Sequence, residues 1–337
     1  ISADSLSISG NTATGASGSG GGIMSIDGSV TIQDANTVVN SNISNRAGGG
    51  IEIIDGSLAM INVNLNGNNT GVSPAIAAPG NGGGLHVSGT AAITINGGTI
   101  SNNLAASEGG GVWNQVGSNM TLTDLEMDEN IASGDAADNG GGAIFNNGGV
   151  TNLNEVIVTA NVADGISGSG GAALSIGGEL NIVDSQIVAN ISNRAGGGIE
   201  IAGGEMNMTD TILNGNNTGL GTAVANPGNG GGLHVTGSAN INITGGTTNN
   251  NLAANEGGGL WNGSGVMTLM NHDISQNTAA GNDSSVPGAA GGGGIYNEGG
   301  TVDISGASFV SENIASGAQS TGGGILNAGG TLIADET

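Results

Sequence analysis

Along most of the chain, apolar residues stand two apart in runs of three to five positions, and the runs end at glycine pairs. The stretch Gly292–Asn313, GGGIYNEGGTVDISGASFVSEN, shows the arrangement. Ile295 and Asn297 flank Tyr296, and a turn follows at Gly299-Gly300. Val302 and Ile304 then flank Asp303, and a second turn leads to Phe309, Val310 and Asn313. Alternation of period two reads as half-buried strand, and glycine pairs read as turns. No window holds a 3.6-residue period with helix caps. The expected unit is three short β-strands and three turns.

The unit recurs. Triplets of small residues followed by an apolar residue begin at Gly20, Gly48, Gly82, Gly109, Gly140, Gly170, Gly196, Gly230, Gly257, Gly292 and Gly322, at intervals of 26 to 35 residues. All are GGG except Gly170-Gly171-Ala172. A second landmark accompanies each triplet: an apolar residue, two spacers, Asn, any residue, then Ala, Ser or Thr. Its asparagines are Asn11, Asn42, Asn68, Asn103, Asn130, Asn161, Asn190, Asn216, Asn251, Asn277 and Asn313. Its apolar position holds Ile8, Val39, Leu65, Ile100, Met127, Val158, Ile187, Leu213, Ile274 and Val310, with Thr248 the one departure.

One such unit cannot bury its inward side chains, whereas stacked copies can. The fold expected is all-β, a right-handed three-sided parallel β-helix (solenoid) of about eleven coils, the hand following from the chirality of parallel crossovers. At roughly 4.8 Å per coil it would rise about 50 Å. Residues 1–337 form one domain. A longer period lies over the shorter one: PGNGGGLH occurs at Pro79–His86 and Pro227–His234, and EGGGVWN (Glu108–Asn114) returns as EGGGLWN (Glu256–Asn262). Both pairs are offset by 148 positions, so two super-repeats of five coils are expected, at approximately 20–169 and 170–321.

Composition narrows the alternatives. There are 71 glycines, 36% hydrophobic residues, 1% aromatic residues and 4 prolines. Disorder needs less hydrophobicity, and collagen needs glycine at every third position with much proline. The 27 acidic residues face 2 basic ones, for a net charge of −25, so no phosphate-neutralising surface exists and nucleic-acid binding is excluded. Anionic membranes are disfavoured in the same way. No apolar run is long enough for a transmembrane helix. There is no cysteine, hence no disulfide, thiolate metal site or cysteine nucleophile. The chain opens at Ile1 with no signal peptide before it and reads as a mature or excised segment.

Few residues invite a chemical reading. The repeating asparagines read as a structural ladder, each in a left-handed turn and bonded to the next coil. Inward side chains would put sequons such as Asn42-Ile43-Ser44 and Asn216-Asn217-Thr218 out of reach. The glycine triplets lack the helix and Lys of a phosphate loop and read as turns or close approaches. Arg46 and Arg194, the only basic residues, recur inside the duplicated phrase NISNRAGGGIEI (Asn42–Ile53 and Asn190–Ile201). They are candidates for the base or substrate anchor of a polysaccharide lyase, set against loop arginines that pair with acids or cap a coil. His86 and His234 are expected to face outward as surface residues, with His272 in a different context. Asp124, Glu126 and Asp128 share one strand face and, with the loop Gly134–Asn139, are the candidates for Ca²⁺, the one cofactor weighed. A solvated face is the alternative. Threonine arrays of the ice-binding kind are not regular enough here.

With its repeat in view, the chain resembles the parallel β-helix repeats of bacterial surface proteins, above all polymorphic outer-membrane protein repeats and autotransporter passengers. Their Gly-Gly-Ala-Ile element appears here as GGGI, GGGL, GGGV or GGAI (Gly141–Ile144), and their Phe-x-x-Asn element with Ile, Val, Leu or Met replacing Phe. The resemblance covers nearly the whole chain and implies a secreted or surface-displayed stalk, adhesin or fibre. The expected function is thus a non-enzymatic structural protein of the bacterial cell surface or extracellular space. No polar cap is recognisable before Ile8 or after Leu332, and an open coil edge predicts self-association end to end. Two alternatives stand beside this. One is an adhesin whose longer loops, near Val72–Asn81, Leu220–Asn229 and Gly281–Ala290, bind a receptor. The other is a polysaccharide-binding or lyase β-helix.

Overall fold

A computed structural model describes residues 5–71, 80–218, 228–281 and 290–335. The three longer loops named above fall largely outside these residues. Among the described residues there is no helix, none therefore that could cross a membrane, and every strand pairing is parallel. Each strand pairs with its equivalents one coil before and one coil after. Starting from Ile23–Ile26, the first strands of successive coils are linked by ten pairings that end at Ile325–Asn327. The molecule is a parallel β-solenoid of about ten turns.

One coil shows how the sequence makes the turn. Its first strand is Val112–Gln115, its second Asn119–Thr123 and its third Glu126–Asp128. A fourth element of two residues, Ile131–Ala132, pairs with Leu104–Ala105 below and Val162–Ala163 above, in a sheet of its own. The three-strand unit expected from the alternation therefore lacked this last side, which is too short for a period of two to register. In two coils the first three strands run together as Ile51–Asn66 and Leu85–Ser101.

Inward positions stack into columns. Leu58, Ile93 and Met120 form part of one, and Leu65, Ile100, Met127 and Val158 part of another, all essentially inaccessible to solvent. Each such side chain contributes roughly 1.5–3 kcal/mol by leaving water. The coil closes at the glycine triplet. Gly48 sits at φ +59°, a Cβ on Gly49 would lie 2.4 Å from the Gly83 carbonyl oxygen, and one on Gly50 would lie 2.8 Å from that of Gly84. The second place is the tightest, because it faces backbone on two sides. The third admits alanine at Ala143 and Ala172, both buried. Strand register makes Gly141-Gly142-Ala143 the fifth triplet, so the count from Gly140 was one residue early.

The asparagine column lies inside. Asn130 donates from its backbone N (2.9 Å) and its Nδ2 (2.9 Å) to Oδ1 of Asn161, and from Nδ2 to the Ile100 carbonyl of the coil below (2.8 Å). The same link joins each neighbouring pair from Asn11 to Asn313. Asn42 and Asn216, the sequon asparagines, are fully buried within it. The left-handed residue is not the asparagine but the one before it, for example Ser41 (φ 53°), Glu129 (φ 51°), Ala160 (φ 53°) and Glu312 (φ 55°). That residue turns the chain so that the next N–H and amide can both point along the column.

Thr248, the departure in the aliphatic column, is explained by His272. Thr248 Oγ1 and His272 Nε2 are 2.8 Å apart, and His272 Nδ1 lies 2.6 Å from the Gly245 carbonyl oxygen. A carbonyl only accepts, so Nδ1 carries the proton and Thr248 donates to Nε2. Both side chains are fully buried, and burial lowers the His272 pKa.

Candidate functional site

The first strand alternates like the others, and its outward residues stack in turn. From the second coil they read Glu52, His86, Trp113, Phe145, Leu174, then Glu200, His234, Trp261, Tyr296, Leu326. This outer column repeats every five coils. It is also closed: His86 and His234 are 3% and 1% exposed, and both tryptophans 6%. The expectation that His86 and His234 are surface residues is therefore wrong. They do point outward, but each lies between a carboxylate and an indole. His272, whose sequence context differs, is in the core.

The two copies share their geometry. His86 stacks on Trp113 with ring centroids 4.3 Å apart, and His234 on Trp261 at 4.2 Å. Beyond them, Trp113 and Phe145 lie parallel at 6.1 Å, and Trp261 and Tyr296 at 6.0 Å. Offset parallel rings are a favourable arrangement of aromatic quadrupoles. On the other side of the imidazole, His234 Nδ1 is 2.6 Å from Glu200 Oε2, and Thr236 Oγ1 donates to Glu200 Oε1. In the first copy His86 Nδ1 and Glu52 Oε2 approach to 2.9 Å without hydrogen-bond alignment, and Ser88 Oγ donates to Glu52 Oε1 at 3.3 Å.

A second carboxylate holds each indole. Trp113 Nε1 donates to Glu108 Oε2 at 3.0 Å, as Trp261 Nε1 does to Glu256 Oε2. Asn81 and Asn139 donate to Glu108, and Asn229 to Glu256. Burial raises the pKa of both Glu108 and Glu256, against the opposing pull of these donors. The spacing behind this bond, Glu-Gly-Gly-Gly-x-Trp, was visible twice in the sequence. Glu52 and Glu200 gave a weaker signal, since they meet their histidines only across coils.

The other candidates are dispersed. Arg46 Nη1 donates to Ser19 Oγ at 3.4 Å and Arg194 Nη1 to Ser169 Oγ at 3.2 Å, each one coil back. Neither forms an ion pair among the described residues, so of the two loop readings, pairing with acids or capping a coil, the first is not met. Asp124 does not share a strand face with Glu126 and Asp128, because it sits at a turn with φ 50°. Burial, with Glu129 and Glu126 nearby, raises the Asp128 pKa. Asp135, in the loop Gly134–Asn139, caps the Ile166 N–H at 2.9 Å. Among the described residues no three His, Cys, Asp or Glu side chains converge as metal ligands would. Comparison with family models, curated proteins and solved structures returns no match.

Proposed function

We propose that this chain is a non-enzymatic structural solenoid, exposed on a bacterial cell surface or released outside the cell, in the manner of polymorphic outer-membrane repeats and autotransporter passengers. One observation carries the reading. The groups best suited to chemistry, the Glu–His pairs and their Glu-bound tryptophans, occur twice in the same order and are packed against one another inside a closed stack. An active centre keeps a reacting group open to its substrate; these groups brace neighbouring coils.

A solenoid edge also presents a row of backbone donors and acceptors to the next coil, whether a further stretch of chain or another molecule. The rod would thus act as a stalk and, by joining edges, as part of a filament. Surface labelling of intact source cells tests the placement: antibody that reached the protein only after permeabilisation would refute it. Electron microscopy across a concentration series tests the joining. Rods growing beyond about 50 Å support it, and discrete particles at every concentration leave the stalk alone.

A further inference from the structure

A cleft lies where the two super-repeats meet. It measures ≈ 180 Å³ and opens beside the outer column, lined by Leu174, Ala202, Thr236, Arg194, Glu200 and the exposed Asp138. Ala202 stands two residues after Glu200 as Ile54 does after Glu52, so the matching position of the first super-repeat carries a larger side chain. A dry cavity of ~150 Å³ admits benzene, so the occupant here is small.

The charges in the lining select the occupant further. Arg194 is half-buried, and no carboxylate of the described residues lies within 4.0 Å of its guanidinium. In a chain with 27 acids and 2 bases, an arginine without an acidic partner is conspicuous. Glu200 is engaged by His234 and Thr236, which leaves Asp138 as the carboxylate open to a ligand. Arg194 and Asp138 thus line one cleft without touching. A simple anion is repelled by a net charge of −25, and a simple amine is attracted to the whole surface without preference. A molecule with both charges uses both walls, while Leu174 and Ala202 take its carbon face.

We propose that this cleft binds a small zwitterion of the α-amino-acid class, its carboxylate on Arg194 and its ammonium on Asp138. The test uses the full chain, with amide chemical shifts followed as L-alanine is added. Acetate and ethylamine, each carrying one of the two charges, serve as comparisons. The expected result is saturable shifts at Ala202 and Thr236 with L-alanine, and at least about tenfold weaker binding of either comparison, the loss of one charge-assisted contact. Ala202→Ile, which installs the side chain the first super-repeat already carries, should abolish saturation with the fold intact. Arg194→Gln should weaken L-alanine at least about tenfold. Shifts that never saturate, acetate binding as tightly as L-alanine, or unchanged binding in Ala202→Ile would each overturn the proposal.

Discussion

Two ladders run along this solenoid under different rules. The inner one, from Asn11 to Asn313, makes the same bond at every coil. The outer one, from Glu52 to Leu326, changes residue at every coil and returns only after five. A ladder of identical amides shapes each coil but does not distinguish one neighbour from another. An ordered series of carboxylate, imidazole, indole, second ring and aliphatic does. Slipping the stack by one coil would set Glu52 against an indole and His86 against Phe145, leaving a buried charge unpaired. Shape and order are thus written on different parts of each coil, the turn after the third strand and the outer face of the first.

Substitutions should separate the two. The largest effect is expected for Asn161→Leu, which orphans the backbone N of Asn130 and takes away the amide acceptor of Asn130 Nδ2 and the amide donor to the Met127 carbonyl. At about 1–3 kcal/mol for each buried orphan, it should lower stability by roughly 3–6 kcal/mol in chemical denaturation. Glu200→Ala comes next, because it strands His234 between Leu174 and Trp261; a loss of about 3 kcal/mol is expected, and restoration by Glu200→Gln would show that the charge is dispensable. Trp261→Phe keeps a stacked ring and removes the Nε1 bond to Glu256 with one ring of the indole, so about 1–3 kcal/mol is expected by the same measurement.

The smallest effects are in pH dependence, where the glutamates that hold the indoles and the core histidine carry opposite signs. Glu108 and Glu256 have raised pKa values in the fold, so the native state holds those protons more tightly than the unfolded chain. Their contribution is present in acid and is lost as pH rises above the ordinary 4.5. Glu108→Gln with Glu256→Gln should therefore lose less stability than the parent between about pH 4 and pH 7. His272, bonded to Thr248 in the core, has a lowered pKa, so its contribution is full above 6.5 and is lost as pH falls toward its folded value. His272→Gln should flatten that acid-side decline in thermal melts.

Much of the inner ladder was legible in the sequence because it repeats in every coil. The spacing from apolar residue to asparagine located each rung, and glycine triplets located each closure. What escaped was what spacing does not encode. The left-handed residue before each asparagine varies among Gly, Asn, Ser, Glu, Ala and Gln, so no single residue type announces it. The two-residue fourth strands are too short to alternate. The outer ladder was half legible. Trp113 and Trp261 stood out as rare aromatics beside repeated glutamates, but the partners of His86 and His234 lie 34 positions away in sequence (Glu52 to His86, Glu200 to His234). Such pairs become neighbours only once the coil length is known, which is why both histidines were taken for surface residues.

The coil-by-coil pairing has a mechanical consequence. Hydrogen bonds between coils run along the rod, and each coil touches only the coils on either side. Pulled from one end, the molecule would behave as a spool, unwinding a single coil while the rest stays wound. Each coil of 26 to 35 residues pays out roughly 100 Å of slack at about 3.4 Å per residue, so a tether built this way absorbs extension in equal steps and rewinds from the coils that remain.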